Sequence, residues 1–235
     1  MTTNSLQGKN ILITGSTKGI GLAIVNKVAE QGGTPIITGR DTSNNDLYPD
    51  NAKVYSADLS SDNDVENLAS SLKNDGISID ILINNAGSTI VKNFRDMSLD
   101  DFDTINNINY RSVFAVTKQF LPELISSEGG IVNILSVAVR SVFAGNSLYS
   151  SSKSAVETMM NVLREELREN KVDVVNIYPG ATSTDLWPDD LRTEHSHKMM
   201  TPDEIATAVV AQLPSVLSGN LTVEEIVLRP KLGNI

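Results

Sequence analysis

The sequence predicts a doubly wound α/β fold, in which a parallel β-sheet is covered by helices on both faces. Short runs rich in Ile, Val and Leu alternate along the chain with longer segments of helical periodicity. These apolar runs are continuous, which is typical of strands buried on both faces. At 235 residues the chain is long enough for one large core. No change of composition divides it, so we expect a single domain over residues 1–235.

The predicted strands and helices follow one another along the whole chain. The first half alternates the strands NILIT (10–14), TPIIT (34–38), AKVYSA (52–57) and DILIN (80–84) with helices over 19–31 and 62–74. The second half alternates the strands IVNIL (131–135), VDVVNI (172–177) and EEIVL (224–228) with helices near 99–125, 147–169 and 202–213. The segment 181–200 is irregular and long for a connection, so we expect it to cover a substrate site.

Composition limits the kinds of partner. A net charge of −10 argues against a surface for nucleic acid or anionic membrane. The absence of cysteine excludes disulfides and thiolate metal sites and fits a reducing cytosol. The amino-terminal stretch has no secretion signal, and no apolar run approaches the ~18 residues of a membrane span. His195 and His197 lack a third ligand for a metal. We therefore expect a cytoplasmic protein without a metal.

A glycine-rich turn follows the first strand directly, in the stretch TGSTKGIG over Thr14–Gly21. Glycine permits a sharp turn from strand to helix and lets the backbone approach a pyrophosphate, whose charge the helix N-terminus stabilises. An ordinary glycine-rich turn remains the alternative on this stretch alone. The candidate cofactor residues here are Gly15, Ser16, Thr17, Lys18, Gly19, Ile20 and Gly21.

The end of the second strand indicates which dinucleotide is preferred. The chain reads Thr38-Gly39-Arg40-Asp41, where NAD-binding folds usually carry a carboxylate for the adenosine ribose. Arg40 can pair with a ribose 2′-phosphate, and Lys18 can add a second cation, which favours NADP(H) over NAD(H). Two alternatives stay open: both cations are solvated, or Asp41 is the ribose acceptor if the strand ends one residue later.

Three motifs in this order make the chain resemble the short-chain dehydrogenase/reductase family. They are the glycine turn Thr14–Gly21, Asn84-Asn85-Ala86-Gly87 after the fourth strand, and Tyr149-x3-Lys153 in a later helix. The resemblance extends over essentially the whole chain. It implies a Rossmann-type sheet of seven strands in the order 3-2-1-4-5-6-7 and nicotinamide-dependent hydride transfer at alcohols or carbonyls.

The chemistry explains why a tyrosine and a lysine are needed. Hydride delivery to a carbonyl builds negative charge on oxygen, and Tyr149 is the candidate acid in reduction and base in oxidation. Lys153, one helical turn on, would stabilise the phenolate. By resemblance, Lys153 also bonds the nicotinamide ribose, Ser136 bonds the substrate oxygen, and Asn109 holds a water for proton relay. Singly, each has a structural alternative: Tyr149 as a core-edge aromatic, Ser136 as a cap, Asn109 as a satisfied buried amide.

The resemblance implies further cofactor contacts at other strand ends. Asp58 would accept from the adenine amino group, with Leu59 beside it. The side of the adenosine ribose would be lined by Asn85, Ala86 and Gly87. The nicotinamide would be flanked by Pro179, Gly180 and Thr184. Thr184 would bond the carboxamide, and its alternative role is a helix N-cap.

The expected activity is that of an NADP(H)-dependent carbonyl reductase or alcohol dehydrogenase acting on a small molecule. One alternative is a 3-oxoacyl-carrier-protein reductase, which needs a basic patch for its acidic partner, with Arg140 as a candidate residue. Another is a cofactor-binding regulator without turnover. Residues 88–91, 137–143 and 181–200 would line the substrate pocket. Relatives suggest a homodimer or homotetramer formed through the helices near 99–125 and 147–169.

Overall fold

Seven parallel strands form one sheet in the computed structural model, which describes residues 5–217 and 221–233. The strands are β1 (Asn10–Thr14), β2 (Thr34–Gly39), β3 (Lys53–Ser56), β4 (Ile81–Asn84), β5 (Gly130–Ile134), β6 (Asp173–Pro179) and β7 (Glu225–Leu228). Their order is β3-β2-β1-β4-β5-β6-β7, and each pairs in parallel with its neighbours. The predicted doubly wound fold and its strand order are confirmed.

The connecting helices cover both faces of the sheet. They are α1 (Gly19–Glu30), α2 (Asp62–Asn74), α3 (Leu99–Asn106), α4 (Ser112–Ser126), α5 (Ser147–Leu167), α6 (Asp189–His195), α7 (Pro202–Val210) and α8 (Leu213–Val216). Buried side chains of α2, α4 and α5 pack on one face of the sheet, and those of α1, α7 and α8 pack on the other. Among the described helices, none is long and apolar enough to cross a membrane.

Two elements differ from the sequence prediction. The single helix expected near 99–125 is divided into α3 and α4 by a π-helical segment, Asn107–Arg111, and π-helical turns interrupt the regular apolar periodicity that predicts one helix. The irregular segment 181–200 contains α6. None of the residues of α6 is buried, so the helix has no apolar face by which its period could be recognised.

A ladder of buried carboxamides crosses the middle of the sheet. Asn84 on β4 donates to Asn133 on β5 over 2.9 Å, Asn133 donates to Asn176 on β6 over 3.0 Å, and Asn176 donates to Asn161 on α5 over 2.9 Å. The three strand residues are register partners and are at most 4% exposed. Buried polar groups require partners, so a shift in register would leave them unpaired. The ladder thus holds β4, β5 and β6 in one alignment.

We predict that Asn133→Ala lowers the free energy of unfolding by roughly 1–3 kcal/mol, because inside the core Asn176 Oδ1 loses its donor and Asn84 keeps only Thr117 as an acceptor. Urea denaturation measures this difference. Asn63→Ala, at an exposed position of α2, is the control and should change stability by less than about 0.5 kcal/mol. Equal stabilities for the two variants would contradict the role given to the ladder.

Candidate active site

The predicted site residues follow the carboxyl ends of the strands. Gly15 comes directly after β1, Arg40 after β2, Asn85 after β4 and Gly180 after β6. Because the strands are parallel, all these ends lie at one edge of the sheet, where ligands bind in open α/β folds. The tyrosine and lysine of the Tyr-x3-Lys motif begin α5, the helix that follows β5.

Tyr149 lies in the first turn of α5, and its hydroxyl lies close to the Ser136 side chain. Ser136 Oγ also accepts from the backbone N–H of Ala138 over 3.1 Å, so the predicted capping alternative for Ser136 is present together with its contact to Tyr149. Burial raises the pKa of Tyr149 above its ordinary value of 10.0, and the nearby Ser136 hydroxyl opposes this rise. Tyr149 therefore carries its proton at neutral pH.

Lys153 lies one helical turn beyond Tyr149 and is only 5% exposed. Its Nζ donates to the backbone carbonyl of Ile134 over 2.8 Å. Burial lowers the pKa of Lys153 to about 8, which leaves the amine mostly charged at neutral pH. A neighbouring cation is expected to lower the pKa of a phenol. The pKa of Tyr149 is raised instead, because removal from water outweighs other influences on the phenol.

Asn109 is fully buried and projects from the π-helical segment between α3 and α4. Its Oδ1 accepts from the backbone N–H of Ser88 over 2.8 Å, and its Nδ2 donates to the Ser88 carbonyl over 2.9 Å and to Ser152 Oγ over 3.0 Å. A Cβ atom on Gly87 would lie 3.3 Å from Asn109 Oδ1 and 3.4 Å from Lys153 Nζ. The Asn109 side chain thus joins the segment after β4 to α5 beside Lys153.

The glycine turn packs against the residues after β4 at backbone distance. Gly15 has φ +59°, and a Cβ there would lie 2.7 Å from Ala86 Cα. A Cβ on Gly21 would lie 2.5 Å from the Gly15 carbonyl oxygen and 2.6 Å from Asn85 Nδ2. Asn85 Nδ2 donates to the carbonyls of Thr14 and Gly15 over 2.9 and 3.0 Å. Asn85 therefore supports the turn, and both glycines are required by contacts within the protein.

The Thr14 hydroxyl has a role that the sequence did not indicate, although Thr14 opens the glycine motif. This residue is 2% exposed, and its Oγ1 accepts from the backbone N–H groups of Asn85 and Ala86 over 2.9 and 3.0 Å. It also donates to the Ile83 carbonyl over 3.3 Å. A threonine at the last position of a strand beside a glycine turn was the signal that could have identified it.

The N-terminus of α1 fits an anionic group. Its N-cap residue, Lys18, makes no side-chain cap, and the first turn carries no acidic residue. By contrast α2, α3 and α7 each begin with a Ser or Thr cap and with acidic residues in the first turn. No side chain thus competes for the first N–H groups of α1, which is the arrangement that a pyrophosphate needs.

Three residues of the glycine turn have side chains occupied elsewhere. Ser16 Oγ is fully buried, donates to the Ile13 carbonyl over 2.6 Å and accepts from the Thr38 N–H over 3.1 Å, so it ties β1 to β2. Ile20 packs on the core beside α1, and the Thr17 methyl group would lie 2.9 Å from a Cβ on Gly39. The Ser16 backbone N–H also donates to the Thr38 carbonyl over 3.2 Å, so both its hydroxyl and its N–H are bonded within the protein.

Arg40 follows β2 directly and is exposed. The strand ends at Gly39, one residue later than predicted, which is the condition under which Asp41 would be the ribose acceptor. However, the Asp41 carboxylate accepts from Ser43 N–H over 3.0 Å and from Ser43 Oγ over 2.6 Å, and these bonds lower its pKa. Lys18 does not face Arg40, since its Nζ lies 3.4 Å from Asp185 Oδ2.

Asp58 and Leu59, which follow β3, face different ways. Asp58 Oδ1 accepts from the N–H and hydroxyl of Ser60 over 3.0 and 2.7 Å. These bonds lower the pKa of Asp58, and the nearby charge of Arg40 adds to the effect. Leu59 is 4% exposed and belongs to the core on the α2 side of the sheet, so its side chain does not face the site.

The residues after β6 bring the segment 181–200 against the glycine turn. Pro179 ends β6, and Gly180 N–H donates to the Leu228 carbonyl over 2.8 Å. A Cβ on Gly19 would lie 3.5 Å from Thr184 Cγ2, so Thr184 touches the turn. The N-cap alternative for Thr184 is wrong, because α6 begins only at Asp189.

Of the residues predicted to line a substrate pocket, 138–143 line a cavity in the structure, and residues 88–91 do not. A cavity of about 500 Å³ lies beside α5 and is lined by residues 92–94 and 138–147 with Ser150 and Ser154. Neither Tyr149 nor the segment 181–200 lines this cavity. Arg140, the candidate for an acidic carrier, pairs with Glu225 over 2.6 Å and is therefore already neutralised. Across residues 5–217 and 221–233 no group of three His, Asp or Glu side chains is placed to hold a metal.

The known proteins that are similar to this chain are dehydrogenases and oxidoreductases. The family model of the short chain dehydrogenases matches residues 9–195. An uncharacterized oxidoreductase of Staphylococcus aureus is 29% identical over 231 residues, covering 96% of this chain and 98% of its own. A short-chain type dehydrogenase/reductase from Mycobacterium marinum is 25% identical with a TM-score of 0.86 and 96% of each chain covered. A metagenomic short-chain oxidoreductase solved with NADP is 26% identical, with a TM-score of 0.80 and coverage of 97% and 99%.

We predict that Lys153 makes the stability of the protein depend on pH in the alkaline range. Its pKa is about 8 when folded and 10.5 ordinarily, so the unfolded state binds more protons between these values and the free energy of unfolding rises with pH. From pH 8 to 9.5 the wild type should gain roughly 2 kcal/mol relative to Lys153→Met. Urea denaturation at several pH values measures this gain. Lys73→Met, an exposed control, should run parallel to the wild type.

Proposed function

The chain belongs to the short chain dehydrogenase family, and we propose that within this oxidoreductase family it is an NADP(H)-dependent carbonyl reductase or alcohol dehydrogenase acting on a small molecule. One observation carries the proposal. A protonated Tyr149, close to Ser136, lies one helical turn from a buried and mostly charged Lys153. This group stands at the same edge of the sheet as the uncapped N-terminus of α1.

In the proposed reduction, the cofactor supplies a hydride and the protein supplies a proton. A bound nicotinamide cofactor supplies the hydride to the carbonyl carbon. Ser136 donates a hydrogen bond to the carbonyl oxygen, since its Oγ already accepts from Ala138 and keeps its own proton. Tyr149 transfers its proton to that oxygen as negative charge develops there. Oxidation of an alcohol uses the same groups in reverse.

Lys153 and Asn109 act on Tyr149 in this proposal. The Lys153 ammonium stabilises the phenolate left after proton transfer, and it is also proposed to bond the nicotinamide ribose. Asn109 is proposed to hold the water through which Tyr149 is reprotonated. Because its side chain is satisfied by Ser88 and Ser152, that water would bond its backbone instead.

The cofactor contacts are proposed along the same edge of the sheet. Residues of the glycine turn and Asn85, Ala86 and Gly87 would hold the pyrophosphate and the adenosine ribose. Asp58 would receive the adenine amino group, with Leu59 contributing its backbone. Pro179, Gly180 and Thr184 would flank the nicotinamide, which the contact between Thr184 and Gly19 supports.

A preference for NADP(H) over NAD(H) is supported by the charges at the end of β2. Arg40 is exposed at the first position after the strand, whereas the Asp41 carboxylate is held by Ser43. A relative of the same fold was solved with NADP. Arg40 and Lys18 would then bind the ribose 2′-phosphate.

Two alternatives receive less support. A carrier-protein reductase needs free cations for its partner, and Arg140 is paired with Glu225 while its guanidinium lies 3.9 Å from the centre of the Tyr178 ring. A regulator without turnover would not need the protonated Tyr149 and its neighbours.

We also propose a homo-oligomer formed through α3, α4 and α5. The support is a set of exposed large apolar side chains on these helices, namely Phe102, Phe114 and Val162, each at least half exposed.

We predict that the wild type oxidises NADPH in the presence of some members of a panel of aldehydes, ketones and diketones, followed by nicotinamide absorbance. Tyr149→Phe should lower kcat about 10²- to 10⁴-fold, because the proton donor is lost, while NADPH binding persists. Tyr55→Phe, on β3 with its hydroxyl bonded to Asp75, is the control and should keep full activity. Wild-type cofactor binding without turnover on any compound would favour the regulator.

Arg40→Ala should weaken NADPH binding by about 1.5–3 kcal/mol, the contribution of a charge-assisted hydrogen bond, and leave NADH binding nearly unchanged. Fluorescence titration gives both dissociation constants. Arg168→Ala, beside the amino end of β6, is the matched control and should alter neither. Equal weakening of both cofactors would refute the preference for NADP(H).

A further inference from the structure

We propose that Asp185 is a specificity-determining residue that competes with the 2′-phosphate of NADP(H) for Lys18. This inference rests on the proposed function, because it requires a phosphate-binding role for Lys18. The observation that carries it is the ion pair between Lys18 Nζ and Asp185 Oδ2, separated by 3.4 Å.

The backbone holds Asp185 beside the glycine turn independently of the ion pair. Ser183 N–H donates to the Met200 carbonyl over 2.8 Å, and Met200 N–H donates to the Ala181 carbonyl over 3.0 Å. These bonds close the base of the segment 181–200. Thr184, the residue before Asp185, touches Gly19, the residue after Lys18. The contacts of neighbouring residues therefore place the Asp185 carboxylate beside the glycine turn.

Asp185 has a second cationic partner and can release Lys18 without being left unpaired. Arg192 on α6 is hydrogen-bonded to Asp185 and also bonds Asp189 over 2.7 Å. The bond from Arg192, followed by that from Lys18, lowers the pKa of Asp185, which is therefore charged at neutral pH. When Lys18 turns away, Asp185 keeps Arg192. The cost of the exchange is limited to one ion pair whose side chains are 70% and 55% exposed.

The two cofactors differ in whether they require this exchange. NADP(H) places a 2′-phosphate near Arg40, and Lys18 must leave Asp185 to reach it. NAD(H) has no such phosphate, so it binds with the Lys18–Asp185 pair intact. Asp185 consequently lowers the affinity for NADP(H) selectively. Exposed ion pairs are weak, so the expected selective effect is roughly 1.5- to 5-fold in the dissociation constant.

A binding experiment at low salt tests the competition. Dissociation constants for NADPH and NADH are measured by fluorescence titration for the wild type, Asp185→Asn, Lys18→Ala and the double variant. Asp189→Asn is the matched control, because it removes the same charge from the same segment but has no contact with Lys18. We expect Asp185→Asn to tighten NADPH binding roughly 1.5- to 5-fold and to leave NADH binding unchanged. In the Lys18→Ala background the same substitution should have no effect, and Asp189→Asn should have none in either background.

The outcomes separate this inference from the proposed function. If the wild type prefers NADPH but Asp185→Asn does not tighten its binding, the competition is refuted and the function stands. Equal tightening of both cofactors, or tightening that persists without Lys18, would also refute it, since a general loss of negative charge would explain the result. If the wild type shows no preference for NADPH or binds neither cofactor, the NADP(H) proposal and this inference fall together.

Discussion

The approach of the glycine turn to the segment after β4 is the constraint on which the site depends. No side chain fits between Gly15 and Ala86, and the side chains of Thr14 and Asn85 each bond backbone groups of the other segment. This contact sets the distance from β1, where a dinucleotide would bind, to β4 and the groups beyond it. The asparagine ladder extends the same alignment to β5 and β6. The relative positions of the segments that follow β1, β4, β5 and β6 are thus set by contacts within the sheet and at its carboxyl edge.

Burial acts in opposite directions on the two titrating groups of α5. It raises the pKa of the Tyr149 phenol and lowers that of the Lys153 amine to about 8, because each loses stability in its charged form when removed from water. In the free protein this yields a neutral phenol one helical turn from a cation. That is the protonation state in which the phenol can act as an acid. The π-helical segment contributes by turning Asn109 inward, where it joins the segment after β4 to α5.

The segment 181–200 links the two ends of the site. Its first residues follow β6, Thr184 touches the glycine turn, and Asp185 pairs with the lysine that begins α1. Asp185 of this segment and Lys18 of the glycine turn therefore share one exposed ionic contact, and such contacts are weak enough to be exchanged. A change in the partner of Lys18 would therefore change how this segment interacts with a ligand.

The sequence by itself determined the order of strands and helices and the strand ends at which the site residues lie. Continuous apolar runs reflect burial, and glycines at sharp turns reflect local backbone geometry. Both can therefore be recognised in the sequence. The break at Asn107–Arg111, the inward turn of Ser16 and Leu59, and the pairing of Lys18 with Asp185 and of Arg140 with Glu225 were not predicted. The tertiary structure decided these, because each depends on which distant residue arrives beside the side chain. Partners separated by many residues leave no periodicity in a single sequence.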